Sequence, residues 1–119
     1  MRLVGIFGLT TTCESRVLGT VESSTLDAIP VGSRITYTYS GDGSDRMAYP
    51  TITVKGGTAT GVCNWNQSPG VVLAKCGFGV GTGRLTGLEL AFNVSVDGDR
   101  DDPAAVWHWD GLYGSGEAR

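Results

Sequence analysis

The apolar positions of this chain recur with a period of two. From Arg34 to Ser40, Ile35, Tyr37 and Tyr39 fall on one face, and Thr36 and Thr38 fall on the other. β-Branched and aromatic side chains suit an extended backbone, so the segment is predicted as a strand. Gly41 to Asp45 then supply turn chemistry. Alternation resumes from Tyr49 to Lys55 and stops at Gly56-Gly57. Pro50, which has no N–H to donate, is expected at a strand start or on a sheet edge. The longest predicted strand runs from about Arg84 to Val96. Its Leu88, Leu90, Phe92, Val94 and Val96 face one way, with Glu89, Asn93 and Ser95 facing the other. A slip of one residue there would exchange core for solvent along the whole element, so this strand should fix the register of its neighbours. Arg16 to Glu22 predicts another strand, carrying Val17 and Val21. Leu3 to Leu9 predicts the first, the alternative being a remnant of a secretory signal whose apolar run is short for the purpose. Two readings stay open for Ser23 to Ile29: a short helical turn capped by Ser24 and holding Leu26 and Ile29, or plain loop. The segment from Ala104 to Tyr113 closes the sheet, with Trp107, Trp109 and Tyr113 in one alternating row and a gap at Gly111.

Helical periodicity is nearly absent, so the expected class is all-β, with about seven to eight strands spaced as in barrels and sandwiches. Open edges on low-charge strands rich in Gly and Thr invite aggregation, so closure is the physical expectation. The reading is a single small antiparallel β-barrel over residues 1–113, with a β-sandwich as the alternative. Residues 114–119, lacking an apolar anchor, read as a disordered tail. A length of 119 residues fits one domain, and 19 glycines without a G-X-Y period imply many turns. Nine basic against twelve acidic residues give a net charge of −3, which argues against nucleic acid or an anionic membrane surface as partner. No apolar stretch approaches the ~18 residues of a transmembrane helix.

Cys63 and Cys76 stand almost symmetrically about a turn near Ser68-Pro69-Gly70, close enough in a hairpin for a disulfide; the alternative is three reduced, buried thiols. A lasting bridge implies an oxidising compartment, hence a secreted or cell-surface location, and leaves Cys13 over. No metal or cofactor is expected. Zinc lacks a CxxC pair, and His108 is the sole histidine. Asp97, Asp99 and Asp101 alternate like the first ligands of a calcium loop, but Asp102 and His108 stand where that loop needs Gly and Glu, so a solvated acidic hairpin is the better reading. His108 falls on the face opposite the tryptophans, and no G-x-S-x-G accompanies it, so no catalytic residue is assigned. The sequons at Asn66 and Asn93 carry no functional reading. The candidate ligand contacts are Trp107, Trp109 and Tyr113, which either pack a core, line a cavity or form an outer platform, together with Trp65 in the turn region.

The run Gly81-Thr82-Gly83-Arg84-Leu85-Thr86-Gly87, leading into a long alternating strand, resembles the turn of bacterial secreted β-barrels in the allene oxide cyclase and dirigent-like group. Val31-Gly32-Ser33-Arg34 and Gly61-Val62-Cys63 are similar to segments of the same group. The resemblance implies a closed antiparallel barrel around an apolar cavity. For an enzyme of that group, it implies that rate comes from folding a polyene or epoxide inside the cavity. Three functions are therefore expected. The first is a secreted or surface barrel that binds an apolar small molecule or a carbohydrate without chemistry. The second is a cavity cyclase or isomerase, and the third a structural or assembly subunit that oligomerises.

Overall fold

The computed structural model describes residues 3–39, 46–65, 72–99 and 102–115, with side chains described from Gly5 to Gly114 within those spans. Eight strands follow one another: β1 (Leu3–Ser15), β2 (Leu18–Ser24), β3 (Arg34–Tyr39), β4 (Met47–Val54), β5 (Gly57–Trp65), β6 (Ala74–Gly83), β7 (Leu88–Asp97) and β8 (Val106–Ser115). Each pairs antiparallel with the next, and β8 returns to β1, so the sheet is a closed up-and-down barrel. Closure satisfies the edge groups that an open sheet of these strands would expose.

The period of two sets the inside and outside of the barrel. Phe7, Leu9, Ile35, Ile52, Leu90, Phe92 and Val94 are buried inward. The outer face carries hydroxyls and charges, among them the Glu14–Arg34 ion pair at 2.8 Å, which also holds the Thr20 hydroxyl. At the interior centre Trp109 stacks on Phe92 (centroids 4.6 Å apart), and Phe92 stacks on Phe78 (5.8 Å). Gly111 makes this possible. A Cβ there would lie 2.6 Å from Phe92 Cβ and would strike the Ala91 carbonyl, so the gap in the aromatic row is what admits Phe92.

The two ends differ. One is plugged by the β2–β3 connection, where Ser24 Oγ accepts the Leu26 N–H and Ile29 N–H bonds the Leu26 carbonyl. This is a single turn rather than a helix, and it inserts Leu26 and a fully buried Ile29 into the core. Leu85, from the β6–β7 turn at the same end, is also fully buried. The opposite end, where β1 turns into β2, has no such plug among the described residues and is the open end.

Several expectations are corrected by the structure. The run from Arg84 to Val96 is a tight turn followed by β7, because Thr86 N–H and Leu88 N–H close back on the Gly83 and Leu85 carbonyls. Arg16 and Val17 form the β1–β2 turn, so β1 is 13 residues long and Val17 is exposed. Pro50 lies mid-strand and buried, paired with Tyr37. A closed barrel has no edge to receive it, and the β4–β5 ladder instead skips Tyr49 and Pro50. Gly114 and Ser115 belong to β8, pairing with Leu3 and Leu88; the rest of the expected tail lies outside the described residues. The hairpin turn at Ser68-Pro69-Gly70 and the sequon residue Asn66 also lie outside them.

Candidate functional site

The open end holds a cavity of about 550 Å³, within the ~300–1,000 Å³ usual for small-ligand pockets. An eight-stranded barrel is just wide enough either to fill itself with side chains or to hold one small molecule. This one does the first over its plugged half and leaves room at the mouth.

Alternation builds the cavity in layers. Trp109, Val94 and Cys63, all buried, form the floor. One inward position nearer the mouth, Trp107 on β8 and Trp65 on β5 meet edge to face across the opening, with centroids 6.0 Å apart and planes at 89°. Tyr37 and Tyr39 of β3, and Cys13 of β1, the strand next to β8, complete the lining. Glu14, Arg16, Arg46 and Asp102 stand exposed at the rim. Tyr39 is fixed at its tip, its hydroxyl donating to the Arg16 carbonyl at 2.7 Å while the Arg16 guanidinium lies 5.3 Å from the ring centroid. On the other side, Trp65 N–H donates to the Arg46 carbonyl at 2.9 Å. Both rim arginines are thus tied through their backbones to cavity aromatics.

Cys63 and Cys76 face each other in register on β5 and β6 and form a disulfide, with Cα atoms 4.1 Å apart, as their spacing suggested. Cys13 is a free thiol on the cavity wall. Burial, with the neighbouring Glu14 charge, pushes its pKa up, so it stays protonated and is not an activated nucleophile. The Tyr37 and Tyr39 phenols are likewise pushed up by burial. Glu14 goes the other way: the Arg34 hydrogen bond, then that of Thr20, holds its carboxyl below the ordinary value and keeps it charged. One inward position below Cys13, Thr11 is buried, and its hydroxyl has no hydrogen-bond partner among the described residues.

Of the four residues expected to contact a ligand, Trp65, Trp107 and Trp109 come together here. Tyr113 does not: it lies about 13 Å further along β8, with its ring packed over Gly5 toward the plugged end. Tyr37, Tyr39, Cys13 and the rim arginines were not singled out from sequence. The inward parity of Ile35, Tyr37 and Tyr39 already placed the two phenols on the core face. His108 lies on the outer surface, its Nε2 2.8 Å from Asp97 Oδ2. Among the described residues, no helix is long and apolar enough to cross a membrane.

The fold and site define a class: a closed, eight-stranded antiparallel barrel with one plugged end and one aromatic-lined mouth. Comparison of the chain with family models, curated proteins and solved structures finds no match.

Proposed function

We propose that this protein is a secreted or surface barrel that binds one small, predominantly apolar molecule in its open mouth and does no chemistry on it. The observation that carries this reading is the cavity of about 550 Å³ whose floor and walls are Trp65, Trp107, Trp109, Tyr37 and Tyr39. Rings give large contact area at low entropic cost, and their polar tips orient a guest. The inventory for catalysis is thin: the wall thiol and phenols are held protonated, and the Glu14 carboxylate is engaged by Arg34. The cyclase alternative rests on the Gly81 to Gly87 resemblance, and that segment turns at the plugged end, away from the cavity. The Cys63–Cys76 bridge supports an oxidising location.

Titration with N-phenyl-1-naphthylamine, a neutral aromatic probe, tests the reading. Binding is expected at micromolar affinity, to fall at least ~10-fold in Trp107→Ala, and to slow alkylation of Cys13. A fall of that size corresponds to about 1.4 kcal/mol, as expected for one well-packed ring. Binding that survives Trp65→Ala/Trp107→Ala unchanged, with Cys13 unprotected, places the guest elsewhere and sinks the proposal.

A second reading, lateral self-association, is supported by one outward row. Ile6, Leu112, Ala91, Gly77 and Val62 are successive cross-strand partners over β1, β8, β7, β6 and β5, and Ile6 is 82% exposed. Sedimentation over a hundredfold concentration range tests it. A dimer that Leu112→Glu dissociates supports this reading, and a monomer throughout removes it.

A further inference from the structure

We infer that the cavity's guest is an amphipathic anion, entering aromatic body first and leaving its negatively charged group at the rim between Arg16 and Arg46. The inference rests on the binding reading above and adds the chemical class of the ligand.

The charged groups of the mouth are unequally used. Its carboxylates are already engaged. Glu14 accepts Arg34 Nη2 at 2.8 Å and the Thr20 hydroxyl at 2.7 Å. Asp102 Oδ1 accepts the Ala104 N–H at 2.9 Å, capping the β7–β8 connection. Ser15 Oγ is engaged too, accepting the Val17 N–H at 3.2 Å. The cations are not so used: among the described residues, neither Arg16 nor Arg46 has a carboxylate partner. Arg16 is held over the Tyr39 ring instead, with its guanidinium carbon 5.3 Å from the centroid, a contact that uses its charge but does not neutralise it. On the wall, the Cys13 thiol and the Tyr37 phenol are protonated, hence donors.

The lining therefore presents rings below and spare donors and positive charge above. Such a mouth complements a guest with a flat apolar body and an acceptor-rich head. An aromatic lining alone would also suit an organic cation, which the ring faces attract. Here Arg16 already occupies the Tyr39 face, and a second cation would meet two guanidinium groups at the rim. With Glu14 neutralised by Arg34, the described rim sets Arg16 and Arg46 against Asp102 alone, a local positive charge on a chain whose net charge is −3.

A matched pair of fluorescent probes tests the inference. 1-Anilinonaphthalene-8-sulfonate and N-phenyl-1-naphthylamine share one ring system and differ by the sulfonate. In low salt the sulfonate is expected to bind about tenfold more tightly, as two partly exposed ion pairs allow, and the margin should shrink with added salt. In Arg16→Gln/Arg46→Gln the ratio of the two probes' Kd values is expected to fall to about one, whatever the change in the neutral probe's own Kd, and a cooperative thermal unfolding transition shows the variant to be folded. Equal affinities in the natural protein overturn the anion inference and leave the binding reading standing. A sulfonate preference that persists in the double variant overturns it as well. If neither probe binds, the binding reading fails and takes the inference with it.

Discussion

Replacing Trp109 with Ala is expected to cost about 3–5 kcal/mol of folding stability, the range for removing a large aromatic from a packed core. For a chain of this size that is a fall of roughly 10–20 °C in melting temperature. The indole is 2% exposed, stacks on Phe92 at 4.6 Å and meets Phe78 tilted by 30° at 5.9 Å. It cannot be replaced by a shift of its neighbours, because Phe92 is already drawn against the backbone at Gly111. Truncation would thus leave a void joined to the cavity above it. Urea denaturation measures the effect: the midpoint should fall with the m-value unchanged, since the surface exposed on unfolding is nearly the same. A loss below about 1 kcal/mol would mean that the aromatic stack is not the packed centre of the barrel. Trp107→Ala offers the control. That ring is only half-buried at the mouth, so its loss should weaken ligand binding far more than stability.

The different fates of Trp107 and Trp109 mark what was readable in the sequence. Period-two alternation fixes which side of a strand a residue occupies, so the inward rows of Leu90, Phe92 and Val94 and of Ile35, Tyr37 and Tyr39 were legible directly. Depth along the strand was not. Trp109 and Trp107 share a face, and only the plug of Leu26, Ile29 and Leu85 decides which end is filled and which is open. Nor does alternation say which strands meet across the interior. Trp65 and Trp107 are 42 positions apart in sequence and are brought edge to face only by closure of β8 on β1. One misplacement left a local trace. Leu85 and Leu88 fall on opposite parities with glycines at 83 and 87 between and beside them, a turn signature inside an apparently continuous strand. At Gly79, an extra residue on β6 shifts the pairing from Thr60↔Val80 to Gly61↔Phe78, so Phe78 points inward while Val80 points out. Pairing information, absent from a single chain's alternation, is what reveals such a bulge.

The bridge between Cys63 and Cys76 is expected to supply about 3 kcal/mol, the loop-closure estimate for its sequence separation of 13. Comparing oxidised protein with protein held in reductant isolates this contribution, whereas Cys63→Ala/Cys76→Ala also removes two buried sulfurs from the core. The reduced form should therefore unfold at lower urea than the oxidised form, and the double variant at lower urea still. The consequence reaches the mouth. Cys63 is part of the cavity floor, and Trp65 lies two residues beyond it at the end of β5. Freeing the two strands from each other there should loosen the wall that Trp65 provides, so reduction should weaken binding of the neutral probe along with stability. Thiol counting provides the independent check. Of three cysteines, only Cys13 should react with an alkylating reagent in unfolded, unreduced protein. Labelling of all three would remove the cross-link, and equal urea midpoints with and without reductant would mean that the β5–β6 ladder holds this end of the barrel unaided.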